Sequence, residues 1–269
     1  MILPIIFILF LFGILIGSFL NVVILRFNTG MSIAKGRSKC FSCDKTLEWY
    51  ELVPVLSFLL QRGRCRGCGS KISWQYPLVE LLGGLALPVA YLFSPTVASV
   101  PLSILLFILT AKLLFFYIVI CVYDFRHKII PDFFSYGAAL IALAAIGIEW
   151  WGGGAIDWSR LVAGPALFGF FWLFWAVSSG KWMGLGDAKL ALSVGWFLGL
   201  SQGVSAILLS FWIGTLVMLP VMLFQRLRRE KDGLRMGSEI PFGPFILLGF
   251  LVSFLMHMDL HALAAYLAL

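Results

Sequence analysis

The sequence predicts an all-α, polytopic integral membrane protein, and three observations carry that prediction. Of 269 residues, 61% are hydrophobic and only 12% are charged, with a mean hydropathy of +0.99. A soluble domain averages about 25% charged residues, so this chain cannot close its apolar surface into one water-soluble core. The apolar residues fall in long runs separated by short polar turns, which is the pattern of bilayer-crossing helices. The same composition excludes a disordered chain. Five cysteines in this length are too sparse for a secreted disulfide scaffold.

About 20 apolar residues are needed to cross the ~30 Å hydrocarbon layer as a helix. Residues 2–25 carry no charge, and Arg26 closes them. The run lacks a basic start and an A-x-A-like cleavage site, so it reads as a retained span and not as a signal peptide. Further spans are expected at residues 77–93, 100–123, 133–150, 161–177, 188–200, 204–224 and 240–256, about eight in all. The sixth holds thirteen residues, roughly 20 Å of helix at 1.5 Å per residue. Either it begins earlier, or its first turn is recessed in a water-accessible notch.

The basic residues set the topology. Eighteen of the 20 Lys and Arg residues lie in four alternate segments. Residues 26–76 hold nine of them, and Arg126 and Lys128 follow the third span. Lys181 and Lys189 follow the fifth, and Arg226, Arg228, Arg229, Lys231 and Arg235 follow the seventh. The loops expected at 94–99 and 201–203 hold none. By the positive-inside rule the four basic segments are cytoplasmic and both termini face the other side. The net charge of +7 is therefore a topology signal and not the footprint of a nucleic-acid partner. Arg160 sits at a span end, where snorkelling satisfies it. Lys112 falls mid-span, where a charge is costly without a partner; Glu80 is a candidate, and a helix-joining pair and a functional charge are both open readings.

The first cytoplasmic segment contains Cys40-Phe-Ser-Cys43 and Cys65-Arg-Gly-Cys68, with twenty-one residues between the pairs. Two such knuckles can present four thiolates to one tetrahedral Zn²⁺. A pair of disulfides is the competing reading, and the reducing cytoplasm disfavours it. Four thiolates leave no open coordination position, so the metal is expected to be structural and to stabilise a segment too small for its own core. Cys121, inside the third span, reads as a small buried apolar side chain.

Carboxylates embedded in spans need an account. Asp124 ends the third span and Asp187 opens the sixth, within Gly184-Leu185-Gly186-Asp187. The topology puts both at one depth on the cytoplasmic side. Two carboxylates about 3 Å apart share a proton, so that one activates water while the other protonates the leaving group, as in an aspartic peptidase. Gly184 and Gly186 permit close approach of a substrate backbone. The structural alternatives stay open: Asp124 paired with Arg126 or His127, and Asp187 as a helix N-cap. For Asp132, which follows Pro131, the N-cap reading is the better one. Glu149, Asp157 and Asp259 read as interfacial charges.

These residues resemble the type IV prepilin peptidases, also called leader peptidase/N-methyltransferases, and the resemblance covers nearly the whole chain. Gly184-Leu185-Gly186-Asp187 fits the GxGD signature of intramembrane aspartyl proteases. Gly17-Ser18-Phe19-Leu20-Asn21-Val22-Val23 resembles the family's opening motif, and the paired CxxC segment ends, as the family's does, in Tyr76-Pro77-Leu78-Val79-Glu80-Leu81-Leu82. Asp124 followed by Ile130-Pro131-Asp132 resembles its first aspartate region, and Ile240-Pro241-Phe242-Gly243-Pro244-Phe245 its closing motif. Phe41 departs from the family, where proline is common.

The resemblance implies that Asp124 and Asp187 are the catalytic pair. It implies substrates as well: prepilins or type II secretion pseudopilins, with a basic leader and a hydrophobic helix, cut at the cytoplasmic face of the bacterial inner membrane. It further implies methylation of the new N-terminus with S-adenosylmethionine; no nucleotide-binding signature is independently visible, since Trp151-Gly152-Gly153-Gly154 faces the wrong side. The expected organisation is a first helix (1–25), a cysteine segment (26–76) and a multi-helix membrane peptidase domain (77–269). A pseudopilin or competence peptidase without methylase activity is the nearest alternative. A transporter or assembly factor is the alternative of a different class, and the paired repeats common in transporters are not evident.

Overall fold

In the computed structural model, residues 2–155, 157–227 and 241–267 are described, and they are helical with no strand beyond two isolated bridges. The helices are α1 (Ile2–Arg26), the short α2 (Leu56–Leu60), α3 (Gln75–Phe93), α4 (Val100–His127), α5 (Asp132–Trp151) and α6 (Trp158–Ser178). They continue with α7 (Leu185–Leu198), α8 (Leu200–Leu227), α9 (Gly243–Met256) and α10 (Leu260–Leu267). Each of the eight expected spans coincides with a helix. Six of them, α1, α3, α4, α5, α6 and α8, are long and apolar enough to cross a membrane. The other two, α7 and α9, have 14 residues each. The count of full-length spans among the described residues is therefore six, with two short helices beside them.

One expected loop is absent. Residues 201–203 lie inside α8, because Ser-Gln-Gly does not oblige a helix to stop. The break falls instead at Gly199, whose φ of +83° suits glycine alone. Ile240 and the basic residues Arg228, Arg229, Lys231 and Arg235 lie outside the described residues.

The chain divides into two compact units, Met1–Leu92 and Phe93–Leu269. Most of α3 thus groups with α1 and the cysteine segment, whereas the sequence puts the boundary at residue 76. In the first unit, α1 and α3 meet backbone to backbone. A Cβ on Gly17 would lie 2.7 Å from Glu80 Cα, and one on Gly83 would lie 2.7 Å from Gly17 Cα. Gly13 faces the Gly83 carbonyl in the same way. Gly13-x-x-x-Gly17 is thus a small-residue stripe of the kind that lets membrane helices touch. Polar groups lock the end of this contact: Asn21 Nδ2 donates to the Tyr76 carbonyl at 3.1 Å, and Gln75 Nε2 donates to Asn21 Oδ1 at 3.4 Å. Glu80 Oε2 accepts the Val55 N–H at 2.7 Å, which ties the cysteine segment to α3. The bond holds Val55 at φ +60°, a conformation that a β-branched residue rarely adopts.

In the second unit, α7 packs against α6 through Gly195, where a Cβ would lie 2.6 Å from the Ala163 carbonyl oxygen. In the same way, α9 packs against α8 through Gly249 and the Ala206 carbonyl. Tyr117 of α4 and Ser193 of α7 are linked by a buried hydrogen bond of 2.9 Å. Arg160 does more than snorkel. Its guanidinium donates to the carbonyls of Trp196 and Phe197 at 3.3 and 3.1 Å, which caps the C-terminus of α7, and it pairs with Glu149 at 2.6 Å. Asp157 is the N-cap of α6, accepting from the Ser159 and Arg160 N–H groups. Glu80 and Lys112 each have a contact within their own unit: Glu80 holds Val55, and the Lys112 ammonium lies 5.8 Å from the centre of the Phe116 ring.

Gly17→Leu or Gly83→Leu should prise α1 from α3 and lower stability by about 3 kcal/mol, the upper end for overpacked cores. Gly147→Ala, at a position open to 4 Å, should be nearly neutral. Thermal unfolding of the detergent-purified variants measures both.

Candidate functional site

The second unit brings three helix ends together. Asp124 occupies the last turn of α4, whose end is set by Lys128 in the left-handed region with its N–H on the Asp124 carbonyl at 2.7 Å. Ile130 precedes a proline and is thereby biased to extended backbone. Pro131, and not Asp132, is the N-cap of α5. Asp187 is the third residue of α7, after Leu185 and Gly186, with Gly184 as N-cap. The N-cap reading of Asp187 is therefore set aside. From that third position the carboxylate lies near the start of its own helix, with Oδ2 3.6 Å from where a Cβ on Gly184 would be.

Both carboxyl groups are buried, Asp124 at 4% and Asp187 at 7% exposure, and they lie close enough for their charges to interact. Asp124 Oδ2 accepts the Gly243 N–H, at the start of α9, at 3.0 Å. This bond, and not the alternative pairing with Arg126 or His127, holds Asp124; the His127 ring packs on Tyr123 at 4.4 Å. Ile130 is the wedge between these parts. A Cβ on Gly186 would lie 2.9 Å from Ile130 Cβ, and one on Gly243 would lie 3.2 Å from Ile130 Cδ1.

Each carboxylate thus meets the N-terminal end of a helix, where free N–H groups and the macrodipole favour negative charge. Asp132 is placed differently. It is the first residue of α5, two-thirds exposed, and its Oδ1 accepts from Lys189 Nζ at 2.6 Å, joining α5 to α7. Lys189, read from the sequence only as a topology charge, also lies 5.2 Å from the Tyr136 ring centre. Gly243 is the site residue that side-chain reasoning misses, because it acts through its backbone; its only signal is the Pro241-Phe242-Gly243-Pro244 stretch.

In the first unit the two CxxC segments are built alike. The Cys40 N–H bonds the Lys45 carbonyl and the Asp44 N–H bonds the Cys40 carbonyl, both at 2.9 Å. Cys65 with Ser70, and Gly69 with Cys65, repeat that pattern at the same distances. The fourth residue after each leading cysteine is left-handed, Asp44 at φ +53° and Gly69 at φ +71°. All four cysteines are free thiols, so the disulfide reading fails, and their sulfurs lie within 4.8 Å of one another. The Cys40–Cys68 separation is 3.9 Å, close to the edge of about 3.8 Å for a tetrahedron with metal–sulfur bonds of ~2.3 Å. Four cysteines that could hold a metal ion are therefore in place.

Electrostatics in this cluster argue the same way. The Ser42 N–H, followed by the Ser70 hydroxyl, draws the Cys40 thiol down to about 6, and Ser70 also lowers Cys68. The Lys45 N–H favours ionisation of Cys43, yet Cys68, desolvation and the other two thiols together push it up to about 11. Neighbouring thiols favour ionisation of Cys40 and Cys68 but oppose that of Cys43, so the cluster does not ionise as a whole, and a divalent cation at its centre would relieve that conflict. Beside them, Lys45 pairs with Glu51, which is only 5% exposed, at 2.9 Å.

Residues 11–93 match the family model for the bacterial peptidase A24 N-terminal domain, and residues 111–219 that of the type IV leader peptidase family. A prepilin leader peptidase/N-methyltransferase of Bacillus subtilis (strain 168) is 32% identical over 254 residues, 92% of this chain and 93% of that one. One from Aeromonas hydrophila is 30% identical, covering 88% of this chain and 86% of its own. One from Myxococcus xanthus (strain DK1622) is 57% identical over 77 residues, 29% of this chain and 23% of the relative. No solved structure matches.

The Glu48 N–H and then the Lys45 ammonium hold Glu51 below the usual carboxylate range. A depressed folded value means that the group stabilises above its unfolded pKa and that this stability is lost as pH falls through the folded one. Glu51→Gln should therefore speed hydrogen exchange across residues 40–72 near neutral pH. The difference from wild type should shrink in acid, once Glu51 is protonated.

Proposed function

The chain belongs to the type IV leader peptidase family, and we propose that it is a multi-pass bacterial membrane enzyme that removes the basic leader from prepilins or pseudopilins and then N-methylates the new N-terminus. The observation that carries the peptidase is the buried pair Asp124 and Asp187, neighbouring charges at the ends of α4 and α7. The ionised member takes a proton from water as the water oxygen attacks the scissile carbonyl. The protonated member donates to that carbonyl oxygen, and a proton passes to the departing nitrogen as the C–N bond breaks.

Helix length supports the same reading. At 1.5 Å per residue, the 14 residues of α7 and of α9 give roughly 21 Å, about 9 Å short of the hydrocarbon thickness. Short helices beginning at Leu185 and Gly243 let water reach the carboxylates from the cytoplasmic side, where the basic segments put both. A substrate helix sliding in laterally would be cut where it leaves the membrane.

We assign Cys40, Cys43, Cys65 and Cys68 to one structural zinc ion, which would cross-link the two knuckles and, with all four positions filled, do no chemistry on substrate. S-adenosylmethionine is the proposed methyl donor on the strength of the relatives' names and the complete cysteine set. Two grooves of the second unit do not fit it: one is lined by Pro220, Val221, Phe224 and Gln225, and in the other Asp132 is already held by Lys189.

Purified enzyme in lipid, mixed with a prepilin, should release the leader, and Asp124→Asn and Asp187→Asn should each abolish release while leaving the fold intact. Asp132→Asn should be far milder, since its carboxylate contacts Lys189 and not the pair. Continued cleavage by both single variants would reject the mechanism. An added methyl mass on the product only with S-adenosylmethionine distinguishes the bifunctional enzyme from a peptidase alone. Elemental analysis should give one zinc per chain, lost in Cys65→Ser.

A further inference from the structure

The geometry points to Gly243 as the positioning residue of the aspartate pair, through its backbone N–H and through its lack of a side chain; this rests on the peptidase reading of Asp124. Its N–H donates to Asp124 Oδ2 at 3.0 Å across 119 residues of sequence, in a buried contact. Among the described residues no hydrogen bond reaches the other oxygen, Oδ1, so Oδ1 is the atom left to act on water or peptide. The donor is the first residue of α9, a position whose N–H has no partner within its own helix. Using it on a carboxylate satisfies both groups at once.

The absent side chain matters equally. A Cβ at residue 243 would lie 2.7 Å from Asp124 Oδ2 and 3.3 Å from its Cγ. These atoms, and Ile130 Cδ1 at 3.2 Å, all belong to side chains, so the carboxylate can swing aside without moving helix backbone. Alanine at 243 is consequently cheap for folding and costly for catalysis. Elsewhere in this unit the opposite holds: Gly195 and Gly249 press on backbone carbonyls, and there a side chain would disturb the bundle itself.

The test compares Gly243→Ala with Gly169→Ala, a position open to 4 Å, for prepilin cleavage and thermal unfolding. Gly243→Ala should lose about 100-fold in kcat, the scale of a misplaced reacting group, with KM and the unfolding temperature close to wild type. Gly169→Ala should leave all three unchanged. Wild-type kcat in Gly243→Ala would overturn the assignment. So would a loss confined to KM.

A second measurement uses the unaltered residue and settles the matter even if Gly243→Ala fails to fold. Labelling phenylalanine carbonyls and glycine nitrogens selects the three Phe-Gly bonds of the chain, at Gly13, Gly169 and Gly243. The Gly243 amide proton should shift with pH in wild type and in Asp187→Asn, and should stop shifting in Asp124→Asn. An amide indifferent to Asp124→Asn overturns the hydrogen bond, whatever the cleavage result. Cleavage by Asp124→Asn, with the pH shift of the Gly243 amide lost in that variant, would instead overturn the catalytic reading and leave the contact standing.

Discussion

Two carboxylates buried among apolar helices have to be met by polar groups, and a membrane bundle has few to offer. Backbone N–H and C=O groups inside helices are already paired, and lipid supplies none. Unpaired N–H groups occur only at helix N-termini. Asp124 and Asp187 therefore require helices that begin where the carboxylates lie. The short α7 and α9 meet that requirement: Asp187 lies in the first turn of α7, and Asp124 accepts from Gly243 at the start of α9. The extended Ile130-Pro131 turn after α4, packed against Gly186 and Gly243, sets the spacing between the two ends.

Bringing three helix ends to one place needs close helix packing, and both units achieve it with small residues. Without water to drive apolar surfaces together, membrane helices gain from tight contact, and only Gly, Ala and Ser let backbones approach closely. Gly17 against Glu80 and Gly83, Gly195 against Ala163, and Gly249 against Ala206 are contacts of this kind. Polar locks then fix the register along each helix: Asn21 on Tyr76, Tyr117 on Ser193, and Arg160 on the last carbonyls of α7.

The cysteine segment solves a different problem, because outside the membrane a stretch this short buries too little apolar surface to hold itself together. Two matching knuckles bring four thiols within reach of one ion. The half-buried Lys45–Glu51 pair and the Val55–Glu80 hydrogen bond help secure the segment.

Composition and apolar run length alone determined that the chain is helical and membrane-embedded, and they located α1 and α3 to α9, because hydrophobic run length is a local property. The four cysteines and the two aspartates were legible for a similar reason: thiols in CxxC pairs and acids inside apolar runs stand out one residue at a time. What only the tertiary structure decided depends on partners distant in sequence. Asp187 is not the N-cap of its helix, Asp132 belongs to Lys189, Lys112 and Glu80 have separate partners, and α3 groups with α1. Gly243 is the clearest case. Its contribution is a backbone N–H and the space of a missing Cβ, neither of which differs from one glycine to the next along the chain. Only the packing that sets α9 against the end of α4 gives that glycine a carboxylate to hold.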